Sequence, residues 1–409
     1  MSRATRKVTP SARATLVGCS ILAGTGAVRC SRRDDASTSS VQRQLPLLQT
    51  PPTTAPAIAL HNLDAEIADR QKRARAGDVD SEMELVERYA MRSRFEGRVS
   101  DLVLAEEASR HVVTARPSDA AAHLARASAL SSIHEFEAAT AELDDAARRG
   151  ASILDVARAR AAILLAVGHE DEAAAILGHP VDGAPVSDFV MAGSIEARLG
   201  HAERSEHFFQ VARADYRDVS PFTVAWIDFE RARALEMAGN RAAARVYLEE
   251  AAAVLPSYAH AVVHLAALEP AKQALRHIRE LQATSDDPDV LAAEADALRR
   301  DGQASESAEV VGQARAGFEQ VLATLPKAFA DHAASFYLGI GNDAPRALEL
   351  ARANAALRHT SEAIELWLSA AQVARSQGDT CAASAKAVSL HHATPDLRDR
   401  AMRVAKTCP

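Results

Sequence analysis

The strongest constraint in this sequence is a unit of two amphipathic helices around a glycine turn, repeated along most of the chain. It is clearest in residues 225–256, AWIDFERARALEMAGNRAAARVYLEEAAAVLP. Ala232 and Leu235 lie three apart, so they share one face of a first helix. Gly239-Asn240 supplies the turn, where glycine accepts a positive φ. Ala244, Leu248 and Ala251 follow at i, i+4 and i+7, one stripe of a second helix, and Pro256 stops it. The alanines are small where two antiparallel helices press together, and the leucines fill the space beside them. One such pair cannot bury its apolar faces alone, so it must stack on neighbours of the same kind.

The neighbours are present. Ala161, Leu164, Ala173 and Leu177 surround Gly168 at the same offsets. Ala127, Leu130, Ala139, Leu143 and Ala146 surround His134, which stands where the glycine would be. Ala295 and Leu298 precede Gly302, while Trp367, Ala371, Ala374 and Ala383 surround Gly378, with Pro395 as the stop. Turn marks at 134, 168, 200, 239, 302, 341 and 378 lie 34, 32, 39, 63, 39 and 37 apart. The long interval holds an irregular hairpin at 258–283. Composition agrees: apolar residues make up 48% of the chain but aromatics only 4%, an alanine-rich bias that favours packed helices.

This pattern resembles the tetratricopeptide repeat family over roughly residues 80–395, with Trp367, Ala370, Ala371 and Ala374 closest to the family's opening motif. The resemblance implies an all-α, right-handed superhelical solenoid of about nine hairpins plus a terminal helix at 396–407. It also implies that first helices line a concave surface that binds a protein or peptide partner. On that surface Trp226, Phe229, Arg233 and Glu236 form one line along a first helix, and Arg158 faces the same groove from an earlier one. Aromatic and arginine side chains are common binding anchors. The competing reading packs Trp226 and Phe229 as ordinary core.

Ahead of the repeats, Arg3, Arg6, Lys7 and Arg13 precede an uncharged run at 14–28, the pattern of an export signal spanning residues 1–29. Cys30 is a candidate lipidation site, Cys19 a second, and cleavage near Ala27 without a lipid is the plainer alternative. Residues 30–58, rich in Ser, Thr, Gln and Pro, read as a disordered tether, and 59–409 as the solenoid. The expected location is the periplasm, or an outer-membrane or cell-surface lipoprotein.

Chemistry is scarce. A net charge of −8 without a sustained basic run after the N-terminus argues against nucleic acid. Adjacent His391-His392 on a helix would point to different sides, and the acids of His169-Glu170-Asp171-Glu172 suit a helix start, so no metal is expected. Gly339-Ile340-Gly341 falls at a turn without a preceding strand and is no dinucleotide fingerprint. No cofactor or catalytic residue emerges. Cys381 and Cys408 are expected as a disulfide if the last helix returns antiparallel. The reading is a non-enzymatic scaffold or adaptor in the cell envelope. Its rival is an enzyme or enzyme subunit with a site in an irregular segment, 178–186 or 258–290.

Overall fold

Alanine stripes interrupted by glycine and proline divide the chain into helices joined by short turns. The computed structural model describes residues 52–181 and 183–408, and among these every regular element is an α-helix, twenty in all. The expected export signal, Cys19, Cys30 and residues 30–51 of the expected tether lie outside the described residues. α1 (Pro56–Arg75) begins three residues inside the expected tether and covers the first hairpin. Nine hairpins follow: α2 (Val79–Glu96) with α3 (Ser100–Ala115), α4 (Ala120–Ser132) with α5 (Phe136–Arg148), and α6 (Ile153–Val167) with α7 (Glu170–Leu177). Next come α8 (Val186–Arg198) with α9 (Ala202–Asp215), α10 (Pro221–Met237) with α11 (Arg241–Val254), and the short pair α12 (Ala259–Ala266) with α13 (Ala271–Leu281). α14 (Pro288–Arg300) with α15 (Ala304–Thr324), α16 (Pro326–Leu338) with α17 (Ala344–Leu357), and α18 (Ser361–Val373) with α19 (Gln377–Ser389) complete the series, and α20 (Pro395–Ala405) caps it. None of the described helices is long and apolar enough to cross a membrane.

The molecule is an all-α solenoid. Within the fifth hairpin, Ala232, Ala244, Leu248 and Ala251 have no exposed surface, so the alanine stripes are the contact line between its helices. Truncating Leu248 there removes about 2–5 kcal/mol. Successive first helices touch directly, α2 with α4, α8 with α10, α12 with α14 and α16 with α18, and so form the inner face. Three tight turns lack glycine at the left-handed position: His134 (φ 58°), Asn342 (φ 47°) and Arg375 (φ 56°) occupy it instead. Gly378 therefore sits inside the first turn of α19, one step beyond the turn it appeared to mark.

The superhelix is wound so tightly that it touches itself. The α2–α3 turn meets the α13–α14 connection: Gly97 O accepts from Asp286 N at 3.1 Å and from Ser285 Oγ at 3.0 Å. In return the Asp286 carboxylate accepts from Val99 N and, at 3.3 Å, from Ser100 N. One hairpin further, His134 Nδ1 lies 3.1 Å from Lys327 O, and Lys327 Nζ pairs with Glu135 at 2.5 Å. One hairpin further again, His359 N donates to Val167 O at 2.8 Å and Arg358 Nε to Ala166 O at 3.0 Å. Side-chain bonds across this seam join residues 186 to 193 positions apart. A first-turn hairpin loop thus seats on a second-turn connection three times in register.

Gly168 tests the seam. It has φ +92°, and an added Cβ would lie 2.6 Å from the backbone C and O of His359. Gly150 has φ +87° with open space around it. Ala at either position costs about 1–2 kcal/mol for the left-handed backbone. Gly168→Ala should cost at least about 1 kcal/mol more than Gly150→Ala in urea titrations, because it also drives the turns apart. Equal costs would show that the turns do not touch there.

Candidate functional site

At the fourth step the seam opens. Among the described residues the α8–α9 turn makes no hydrogen bond to the α19–α20 connection, and the two segments border an open space instead. A groove of about 1540 Å³ is left between the loops around Gly200 and Gly239 on one side and α18 and α20 on the other. Arg198 Nη1 bonds Glu362 at 3.0 Å across its floor. Burial raises the Glu362 carboxyl, but Arg198 outweighs it and holds the group down at about 2. Arg233 lies 3.6 Å from Glu236, which also accepts from His264 Nδ1 at 3.0 Å. Arg231 pairs with Glu206 and lies flat over the Tyr247 ring, 4.0 Å from its centre. The α20 wall carries Arg398, Arg400 and Arg403.

A disulfide fixes that wall. Cys381 on α19 and Cys408, just past α20, are bonded with their Cα atoms 5.7 Å apart. In the chain-entropy account, closing a loop across a separation of 27 residues stabilises by on the order of 3 kcal/mol. It ties α20 to α19, its partner in the stack.

The expected binding line divides. Arg233 and Glu236 border the groove. Phe229 does not: it is 7% exposed, with its ring 5.1 Å from Tyr258 and 5.5 Å from His264. The placement on an open concave face is corrected for this residue, because the short α12 brings Tyr258 and His264 over it. Trp226 is half-buried between two apolar clusters and lies away from the groove. Arg158 makes a bidentate pair with Asp188, 2.7 Å on each branch, tying α6 to α8 outside the groove. Sequence reasoning missed Arg198, Glu362 and the α20 arginines, which carry no local signal and meet only through the superhelix. His391 and His392 also differ from expectation. They lie in the turn after α19 rather than on a helix, with rings 4.7 Å apart.

The inner face is crossed by polar contacts between successive first helices. His260 on α12 lies 3.9 Å from Asp287, the cap of α14, and His332 on α16 contacts Asp289 of α14. Asp331 bonds Arg358 at 2.8 Å, and Arg358 reaches the seam. Burial opposes protonation of His332, but the Asp289 and Asp331 carboxylates outweigh it and raise the ring to about 10. Burial pushes His260 down to about 4, so it is neutral. Burial raises Asp287 to about 7, with Asp289 adding to it.

Because the folded pKa of His332 is raised, its contribution is fully present below about pH 6.5 and disappears as pH rises towards 10. His332→Gln should therefore destabilise by about 3–5 kcal/mol at pH 7, since it leaves the buried Asp289 carboxylate without its cation. The deficit should shrink towards zero at pH 10. Urea midpoints at the two pH values check this, and an equal deficit at both would contradict it.

No protein-family model matches the chain, and no curated protein matches it. Among solved structures it is similar to the APC/C heterotetramer Cut9–Hcn1, with 14% identity over 80% of this chain and 66% of that chain and a TM-score of 0.42. A tetratricopeptide repeat protein from Parabacteroides merdae aligns with 14% identity over 58% of this chain and 93% of its own, with a TM-score of 0.36. The human IFIT1 dimer with PPP-AAAA aligns with 16% identity over 84% and 85%, with a TM-score of 0.44.

Proposed function

We propose that the chain is a non-enzymatic scaffold of the tetratricopeptide kind that holds a peptide segment of a protein partner in the groove beside α20. The observation that carries this reading is the opening of the seam at its fourth step. Its volume of about 1540 Å³ exceeds the range of roughly 300–1,000 Å³ usual for small-molecule sites, which leaves room for a peptide segment. Charges of both signs line it, many already paired, so a partner gains by exchanging pairs rather than by neutralising a net charge. Export to the cell envelope is the setting we infer. The basic start and uncharged run at 14–28 support it, and the Cys381–Cys408 disulfide suits an oxidising compartment. A lipid on Cys30 would attach the solenoid to a membrane through the segment before α1.

A photo-crosslinking residue at Met237, on the groove, is compared with one at Glu249, on the outer helix α11, in envelope extract of the native host. The groove position should give one dominant protein adduct that the outer position does not. Arg233→Ala combined with Glu236→Ala should lower its yield roughly tenfold, about 1.4 kcal/mol of binding, with the fold retained. Equal adducts at both positions, or a yield indifferent to the double substitution, would place the partner elsewhere.

A further inference from the structure

Two segments that look inert by themselves meet at the seam. The start of α7 brings His169 and Asp171, and the turn after α19 brings His391 and His392, around a pocket of about 190 Å³ that His359 also lines. His392 Nε2 lies 2.8 Å from an Asp171 carboxylate oxygen, a contact between residues 221 positions apart. One ligand atom each of Asp171, His391 and His392 falls within 4.8 Å of the others.

We propose that Asp171, His391 and His392 bind a first-row divalent ion of the zinc class and so clamp the first superhelical turn to the connection leading into α20. Two imidazoles and a carboxylate are the donor set such ions prefer, and calcium and magnesium seek all-oxygen shells. Zinc bonds of about 2.0–2.1 Å require ligand atoms a little over 3 Å apart. The present spread, within 4.8 Å, therefore contracts by at most about 1.5 Å, which the exposed Asp171 and His391 side chains can supply. The backbone that carries the pair is already held. Arg398 Nη2 donates to His391 O at 3.0 Å, and Ser361 Oγ donates to His392 O at 3.2 Å. Three protein ligands leave a fourth position for water or for His169, whose Nδ1 now meets Glu172 at 2.6 Å. His391 and His392 also border the groove, but the clamp uses none of the ion pairs that line it, Arg198–Glu362 and Arg233–Glu236.

The test is calorimetric titration of the full chain with zinc chloride, with melting temperature read in parallel. One equivalent should bind and raise the melting temperature, because an ion that prefers the folded chain stabilises it by mass action. His391→Ala, His392→Ala and Asp171→Asn should each weaken binding at least about tenfold without changing the metal-free melting temperature. His207→Ala, a substitution of an exposed histidine on α9, should leave binding unchanged. Nickel should compete and calcium should not. Absence of binding at equimolar zinc, or several equivalents bound alike by every variant, would overturn the proposal.

Discussion

The structure depends on the contact of the solenoid with itself. A stack of helical hairpins has neighbours only before and behind, which gives a spring with free edges. Here the loops at Gly97, His134 and Gly168 seat on connections one superhelical turn later, so each edge of the spring becomes an interface. The bonds are partly backbone to backbone, and the left-handed glycines let main chains approach where a Cβ would collide. Long-range contacts of this kind fix the pitch, which stacking of alanine stripes alone leaves soft.

The interior and the groove both follow from that pitch. A tight winding brings first helices close, so their inward polar groups pair with one another, as in Arg158–Asp188 and His332–Asp289. Such pairs are weak as net stabilisers but costly to break singly, which makes the inner face a register device. The seam needs a second turn to lie against. Where that turn ends, the first-turn loops at Gly200 and Gly239 face α20 across a gap, and the gap is the groove. Its far wall is the last helix, and the disulfide at Cys408 holds that helix in place.

The hairpins were legible in the sequence because they are local: Ala232, Leu235, Gly239, Ala244 and Leu248 specify one unit within its own span. The short pair α12–α13 falls where the spacing stretches. What could not be read is whatever depends on contacts outside a single hairpin. Phe229 looked like a groove residue because its helix gives no sign that Tyr258 closes over it. His391-His392 point apart if the helix continues through them, and no local signal marks the turn that the chain makes there. The seam, and with it Arg198–Glu362, leaves no periodic trace, since each contact uses a different residue pair.

Amide hydrogen exchange at His359 tests the self-contact most directly. This residue lies in the connection between α17 and α18, outside any helix, and its N–H is bonded only through Val167 O in the preceding superhelical turn. Protection at His359 comparable to that of the flanking helices, joined by protection at Asp286 N, is the result a closed seam predicts. Exchange at both amides as fast as in an unstructured peptide would mean that the turns stand apart and that the pitch has another origin.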